Sequence, residues 1–102
     1  MFRQTAPGVI FITVRAIIDA LLLRIETGER VKELREANNM SVKDLAKQMG
    51  ILKYSLKMIE LGVRDISAYN CLRLHEIFGV SIQYIITGKE FEQPPADYSE
   101  SI

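Results

Sequence analysis

The spacing of apolar residues changes along the chain, and each change marks an expected element. Val9-Ile-Phe-Ile-Thr-Val14 is an unbroken run of β-branched and aromatic residues behind Pro7-Gly8, which predicts a short strand. From Ala16 the period lengthens. At about 100° per residue, Ile17, Ile18, Leu21, Leu22 and Ile25 share one face and Asp19 and Glu26 lie opposite, which predicts an amphipathic helix. Gly28 reads as a break or kink. Glu29 to Ala37 then resumes the helical pattern, with Val31 and Leu34 inward, until Asn38-Asn39 stops it.

Shorter elements follow, three of them bracketed by a serine and a glycine. Ser41 is an N-cap with Asp44 in the first turn, and Val42, Leu45, Ala46 and Met49 give that helix an apolar side ending at Gly50. A further helical run crosses residues 52–61. Gly62 to Ile66 is a loop, Ser67 caps a helix carrying Leu72, Leu74, Ile77 and Phe78 up to Gly79, and Ser81 caps a last helix, Ile82 to Thr87, closed by Gly88. Pro94-Pro95 and the acidic end read as a flexible tail.

Composition adds limits to this pattern. A chain of 102 residues, 48% hydrophobic and 25% charged, fits one globular domain with modest extensions. Its formal net charge is zero, but unevenly spread: residues 1–28 carry +1, residues 29–88 carry +2 and residues 89–102 carry −3. One cysteine, Cys71, allows no intrachain disulfide, and with one histidine, His75, there is no metal-ligand spacing. No cofactor is expected, and a reducing, cytoplasmic setting fits. Arg15, Asp19 and Arg24 interrupt the apolar stretch before it reaches the roughly 18 clean residues of a membrane span. No nucleophile and base pair, phosphate-cradling glycine loop or pair of acids suggests an enzyme.

The central feature is two short helices, 41–49 and 52–61, joined only by a Gly-Ile turn, which forces a steep, close crossing in the manner of a helix-turn-helix. Gly50 can take positive φ, Ala46 is small at the crossing, and Ile51 can plug the space beneath the turn. With Lys53 set at 0°, Leu52, Ser55, Leu56 and Ile59 fall between roughly 200° and 300°, and Lys53, Tyr54, Lys57 and Met58 between roughly 0° and 140°. One face packs inward and the other is left for a ligand.

Ser41-x3-Leu45-Ala46-x3-Gly50-Ile51-x4-Leu56-x2-Ile59-Glu60-x-Gly62, followed by Phe78-Gly79-Val80-Ser81-Ile82-x-Tyr84-Ile85-Ile86-Thr87-Gly88, resembles the Cro and phage-repressor family of helix-turn-helix domains. The resemblance covers Glu29 to Gly88. It implies an all-α, five-helix repressor-like domain over 28–88 that binds operator DNA as a dimer, with the second helix of the motif in the major groove. Carried over residue by residue, it makes Lys53, Tyr54, Lys57 and Met58 base-contacting candidates, and Ser41, Lys43, Lys47, Ser55 and Arg64 backbone-contacting candidates. It also implies a structural ion pair between Arg35 and Glu60. Val42 stands where many members carry a glutamine that bonds the backbone, and Leu52 replaces the usual Ser or Thr cap.

Residues 1–27 lie outside that resemblance and must bury their apolar side chains somewhere. A lone strand leaves its backbone unpaired, so Val9, Ile10, Phe11, Ile12, Thr13 and Val14 are expected to pair with the same strand of a second subunit, with Ile17, Leu21 and Ile25 packing beneath. The alternative is one long N-terminal helix, or an extension folded back on its own domain. The functional expectation is a sequence-specific double-stranded DNA-binding regulator, a homodimeric repressor of prophage or plasmid type. Its rivals are an antitoxin with a toxin partner and a protein-interaction module without DNA binding.

Overall fold

A computed structural model describes residues 7–90, with side chains from Thr13 onward. Five helices follow one another: α1 (Pro7–Ala37), α2 (Val42–Met49), α3 (Lys53–Glu60), α4 (Ala68–Phe78) and α5 (Ile82–Thr87). No strand occurs among the described residues.

The expected strand and separate helix give way to the alternative of one long N-terminal helix: α1 is a single helix of 31 residues. Val9 to Val14 is helical, not a strand, so pairing of two such strands between subunits is overturned. The reason is backbone accounting: an isolated strand leaves its N–H and C=O groups without partners, whereas a helix satisfies them within the segment. β-propensity is a weak, context-dependent preference that cannot outweigh that cost. Pro7 is the first helical residue, a position where its fixed φ is favourable and its missing N–H is no loss. Of the dimerisation candidates, the side chains of Val9, Ile10, Phe11 and Ile12 lie outside the described residues.

Gly28 likewise does not break the helix. Its place inside α1 follows from packing: a Cβ there would collide with the backbone carbonyl of Ile59 and come within 2.9 Å of that of Glu60. The glycine is a notch that lets the C-terminal end of α3 lie directly on α1. The loss of helix propensity, about 1 kcal/mol relative to alanine, is accepted for that approach.

Around this contact the core assembles from one or a few residues of each helix: Val31 of α1, Leu45, Ala46 and Met49 of α2, Leu56 and Ile59 of α3, Cys71 and Leu74 of α4, and Ile85 of α5. Polar clasps hold the periphery. Arg30 of α1 donates to the last carbonyls of α5, from Nε to Ile85 at 2.8 Å and from Nη2 to Ile86 at 2.6 Å, while the Thr27 hydroxyl reaches the same Ile86 carbonyl at 3.4 Å. Arg73 of α4 donates to the Gln48 carbonyl near the end of α2 at 2.6 Å. Those carbonyls have no partner inside their own helices, so a cation there satisfies both hydrogen bond and helix dipole. The α2–α3 pair is thereby fixed from behind by α1 and α4.

Candidate nucleic-acid interface

The entrance to the motif is made locally. The Ser41 hydroxyl accepts from the Asp44 amide at 3.0 Å, and the Asp44 carboxylate accepts from the Ser41 amide at 3.4 Å, a reciprocal capping box at the start of α2. The Ser41 side chain, then its backbone amide, with Lys43 and Lys47 adding a smaller attraction, holds the Asp44 carboxyl below its ordinary value. At the other end Gly50 takes φ 74°, where a side chain would be strained, and the Ile51 amide donates back to Ala46 at 3.0 Å. Ile51 packs partly against the core beneath the turn.

α3 emerges from that turn with two unlike faces. Leu56, Ile59 and Glu60 are buried, whereas Lys53, Tyr54 and Lys57 are exposed and Ser55 and Met58 half-buried. Its N-cap, Leu52, makes no side-chain hydrogen bond and is 74% exposed. Three amides of the first turn are therefore presented without a protein cap. The following loop folds back so that the amides of Val63 and Arg64 both donate to the Met58 carbonyl, and Arg64 Nη1 donates to the Ser55 hydroxyl at 3.1 Å.

α3 is held in place by a charge pair at its buried end. Arg35 of α1 donates from Nε to Glu60 Oε2 at 2.7 Å and from Nη2 to Oε1 at 3.0 Å, a bidentate pair with side chains only 11% and 6% exposed. Its third nitrogen, Nη1, donates to the Met40 carbonyl at 2.9 Å, at the approach to α2. The hydrogen bond with Glu60 raises the Arg35 pKa above its ordinary value, against the opposing effect of burial. One side chain thus references α1, α3 and the start of α2 to one another.

The candidate contact residues separate into groups. Ser41, Lys43 and Lys47 are exposed on α2; Lys53 and Tyr54 are exposed on the first turn of α3; Ser55 and Arg64 are brought together at its edge. Lys57 stands apart, lining a groove between α3 and α1 with Ile25, Glu29, Lys32, Val42 and Leu61. Residues 41–65 hold five cations and three acids, and one acid, Glu60, is neutralised inside the domain by Arg35. The exposed surface of the motif is thus more basic than the neutral chain suggests.

His75 and Cys71 serve the fold. His75 Nδ1 lies 2.7 Å from the Val80 carbonyl, which can only accept, so Nδ1 carries the proton there. Cys71 is 2% exposed, and burial pushes its thiol pKa up. No helix among the described residues is long and apolar enough to cross a membrane. Sequence reasoning missed the structural work of Thr27, Gly28, Arg30 and Arg73. Each acts through a partner distant in the chain, and no local pattern marks such a partner.

Comparison with known proteins gives the same outline. Residues 28–90 match the model of a family described as a helix-turn-helix domain. No curated protein matches the chain. Among solved structures, the SinR protein/SinI protein complex contains a chain with a similar fold, with a TM-score of 0.56, 21% sequence identity and 72% of each chain covered.

Proposed function

Because the chain belongs to the helix-turn-helix domain family, we propose that it is a sequence-specific double-stranded DNA-binding regulator of transcription, acting as a homodimeric repressor of prophage or plasmid type. α3 enters the major groove with Lys53, Tyr54 and Met58 toward base edges, and repression follows from occlusion of a promoter. Lys43, Lys47, Arg64 and the Ser41 end of α2 contact flanking phosphates, fixing register while the base contacts supply specificity. The observation that carries the reading is the division of α3: its inner face is locked by Leu56, Ile59 and the Arg35–Glu60 pair, and its outer face carries exposed lysines and an exposed tyrosine. A rigid helix with a free polar face is what base readout requires.

Selection of bound sequences from a random duplex pool tests this directly, with an enriched palindrome expected. Affinity for the selected site should fall steeply with salt as phosphate contacts release counterions. Lys53→Ala should weaken that site by about 1 to 3 kcal/mol and relax preference at one position. Lys57→Ala, on the rim of the groove beside α1, separates a base contact from a groove role. Unchanged affinity in both variants, or retention that ignores salt, would remove the reading.

A second reading rests on the apolar residues around α3. Leu52, Leu61 and Val63 are 74%, 59% and 62% exposed, and Val42 offers no hydrogen bond at the start of α2. Such residues suit a protein partner, for example a toxin whose operon the chain represses, and the similar SinR chain was solved in complex with another protein, SinI. Co-purification of a stoichiometric partner together with absence of any enriched duplex would favour it.

A further inference from the structure

α1 leaves a continuous apolar surface outside the domain. Val14, Ile17, Ile18, Leu21, Leu22 and Ile25 are each between 42% and 57% exposed. They form a stripe whose centre lies about 100° around the helix from the mean direction of Thr27, Gly28 and Val31, the positions that face the core. The stripe adjoins the core face at Gly28 and is centred well away from it. It is a second face that the described residues leave uncovered except at its Ile25 end, where Gly62 lies against the helix.

We propose that its occupant is the same stripe of a second copy, lying antiparallel about a twofold axis between Asp19 and Ala20. The sequence is self-complementary about that point: Val14 meets Ile25, Ile17 meets Leu22 and Ile18 meets Leu21. Val14, Ile18, Leu21 and Ile25 follow a 4-3-4 spacing, the knobs-into-holes seam of two helices crossing at about 20°. Charges agree with that orientation. Arg15 and Glu26 flank the seam on one side, and antiparallel pairing sets Arg15 two residues, about 3 Å along the axis, from Glu26 of the second copy. The six side chains offer roughly 500 Å² of apolar surface per chain, at the upper end of what a monomer leaves in one patch and most of the ~800 Å² per partner in a standard interface.

The arrangement also deepens the DNA-binding reading, and this step alone rests on it. With the domain packed on the flank about 100° from the seam, the twofold places both domains on the same side of the helix pair. Val31, at the centre of each domain, is 11.5 residues from the axis, so the two lie about 35 Å apart along the pair. That matches the roughly 34–36 Å between half-sites one DNA turn apart.

Cysteine cross-linking of the full chain tests the pairing. Cys71 is 2% exposed and leaves the background low. An oxidised mixture of Val14→Cys and Ile25→Cys chains should give the mixed disulfide in large excess over either self-link. In the antiparallel pair two copies of residue 14 stand about 17 Å apart along the axis, beyond disulfide reach. Self-links from each variant alone would overturn the orientation, and a chain that sediments as a monomer with no links would overturn the pairing. Leu21→Glu should sediment as a monomer with an undiminished helical spectrum and lose roughly tenfold or more in affinity for a palindromic site; a Leu21→Glu dimer overturns the proposal. A Leu21→Glu monomer that still binds a half-site with salt dependence leaves DNA recognition standing. A cross-linked wild-type dimer that binds no duplex keeps the pairing and removes the DNA reading.

Discussion

At the scale of single residues, the position of α3 depends on Arg35. A bidentate pair this enclosed gives a large penalty when half of it is removed, because the remaining charge loses water and partner together. Arg35→Met should lower unfolding stability by about 3 to 5 kcal/mol, read from urea titration. Arg35→Met with Glu60→Met should recover much of that loss, since no charge is then stranded. Failure of the double variant to recover would show that the bond from Arg35 to the Met40 carbonyl, and not the ion pair, carries the cost. The resemblance pointed to Arg35 and Glu60; the bond to Met40 had no counterpart in the sequence pattern.

At the scale of elements, cap chemistry made α2, α4 and α5 readable. Ser41, Ser67 and Ser81 each accept from the amide three residues on, and Gly50, Gly79 and Gly88 each end a helix in the left-handed region. Such signals lie within one turn of the residues they control. α1 was misread for the same reason in reverse: β-branched residues from 9 to 14 give a local signal that the surrounding chain overrides, and Gly28 resembles a terminator until α3 is laid against it. Arg30 and Thr27 were invisible because their acceptors, Ile85 and Ile86, lie more than fifty residues away. α3 remains the element with an unfinished end. Leu52→Ser should supply the missing cap and stabilise the domain by about 1 kcal/mol, seen as a raised thermal midpoint. It should leave affinity for the selected site within a few-fold, because Leu52 precedes the helical residues that face outward.

At the scale of the whole molecule, the chain divides by what its surfaces are for. The domain holds a basic motif outward on α2 and α3, and its first helix, about 46 Å long in all, extends an apolar face beyond it. The sequence made the first half legible through several motifs in fixed order. The second half needed the structure, because an exposed apolar stripe and a buried one have the same hydropathy pattern. Only the placement of Thr27, Gly28 and Val31 against the core shows which side of α1 is already taken.

That α1 runs unbroken through Gly28 has a consequence for how the two halves can change relative to each other. A straight helix conserves angular phase: whatever rotation is set at the seam arrives undiminished at the domain. One alanine inserted between Ile25 and Thr27 should turn the two domains out of phase by about 100° each while lengthening the shaft by only about 1.5 Å. Seven inserted residues should restore the phase to within about 20° and move the domains farther apart. Binding to operators of systematically varied half-site spacing reads both outcomes. The one-residue insertion should abolish cooperative binding at every spacing, and the seven-residue insertion should recover it at a longer one. The spacing between half-sites would then be encoded as a count of residues in a single helix, inherited or altered by insertion and deletion and indifferent to the residues that read the bases.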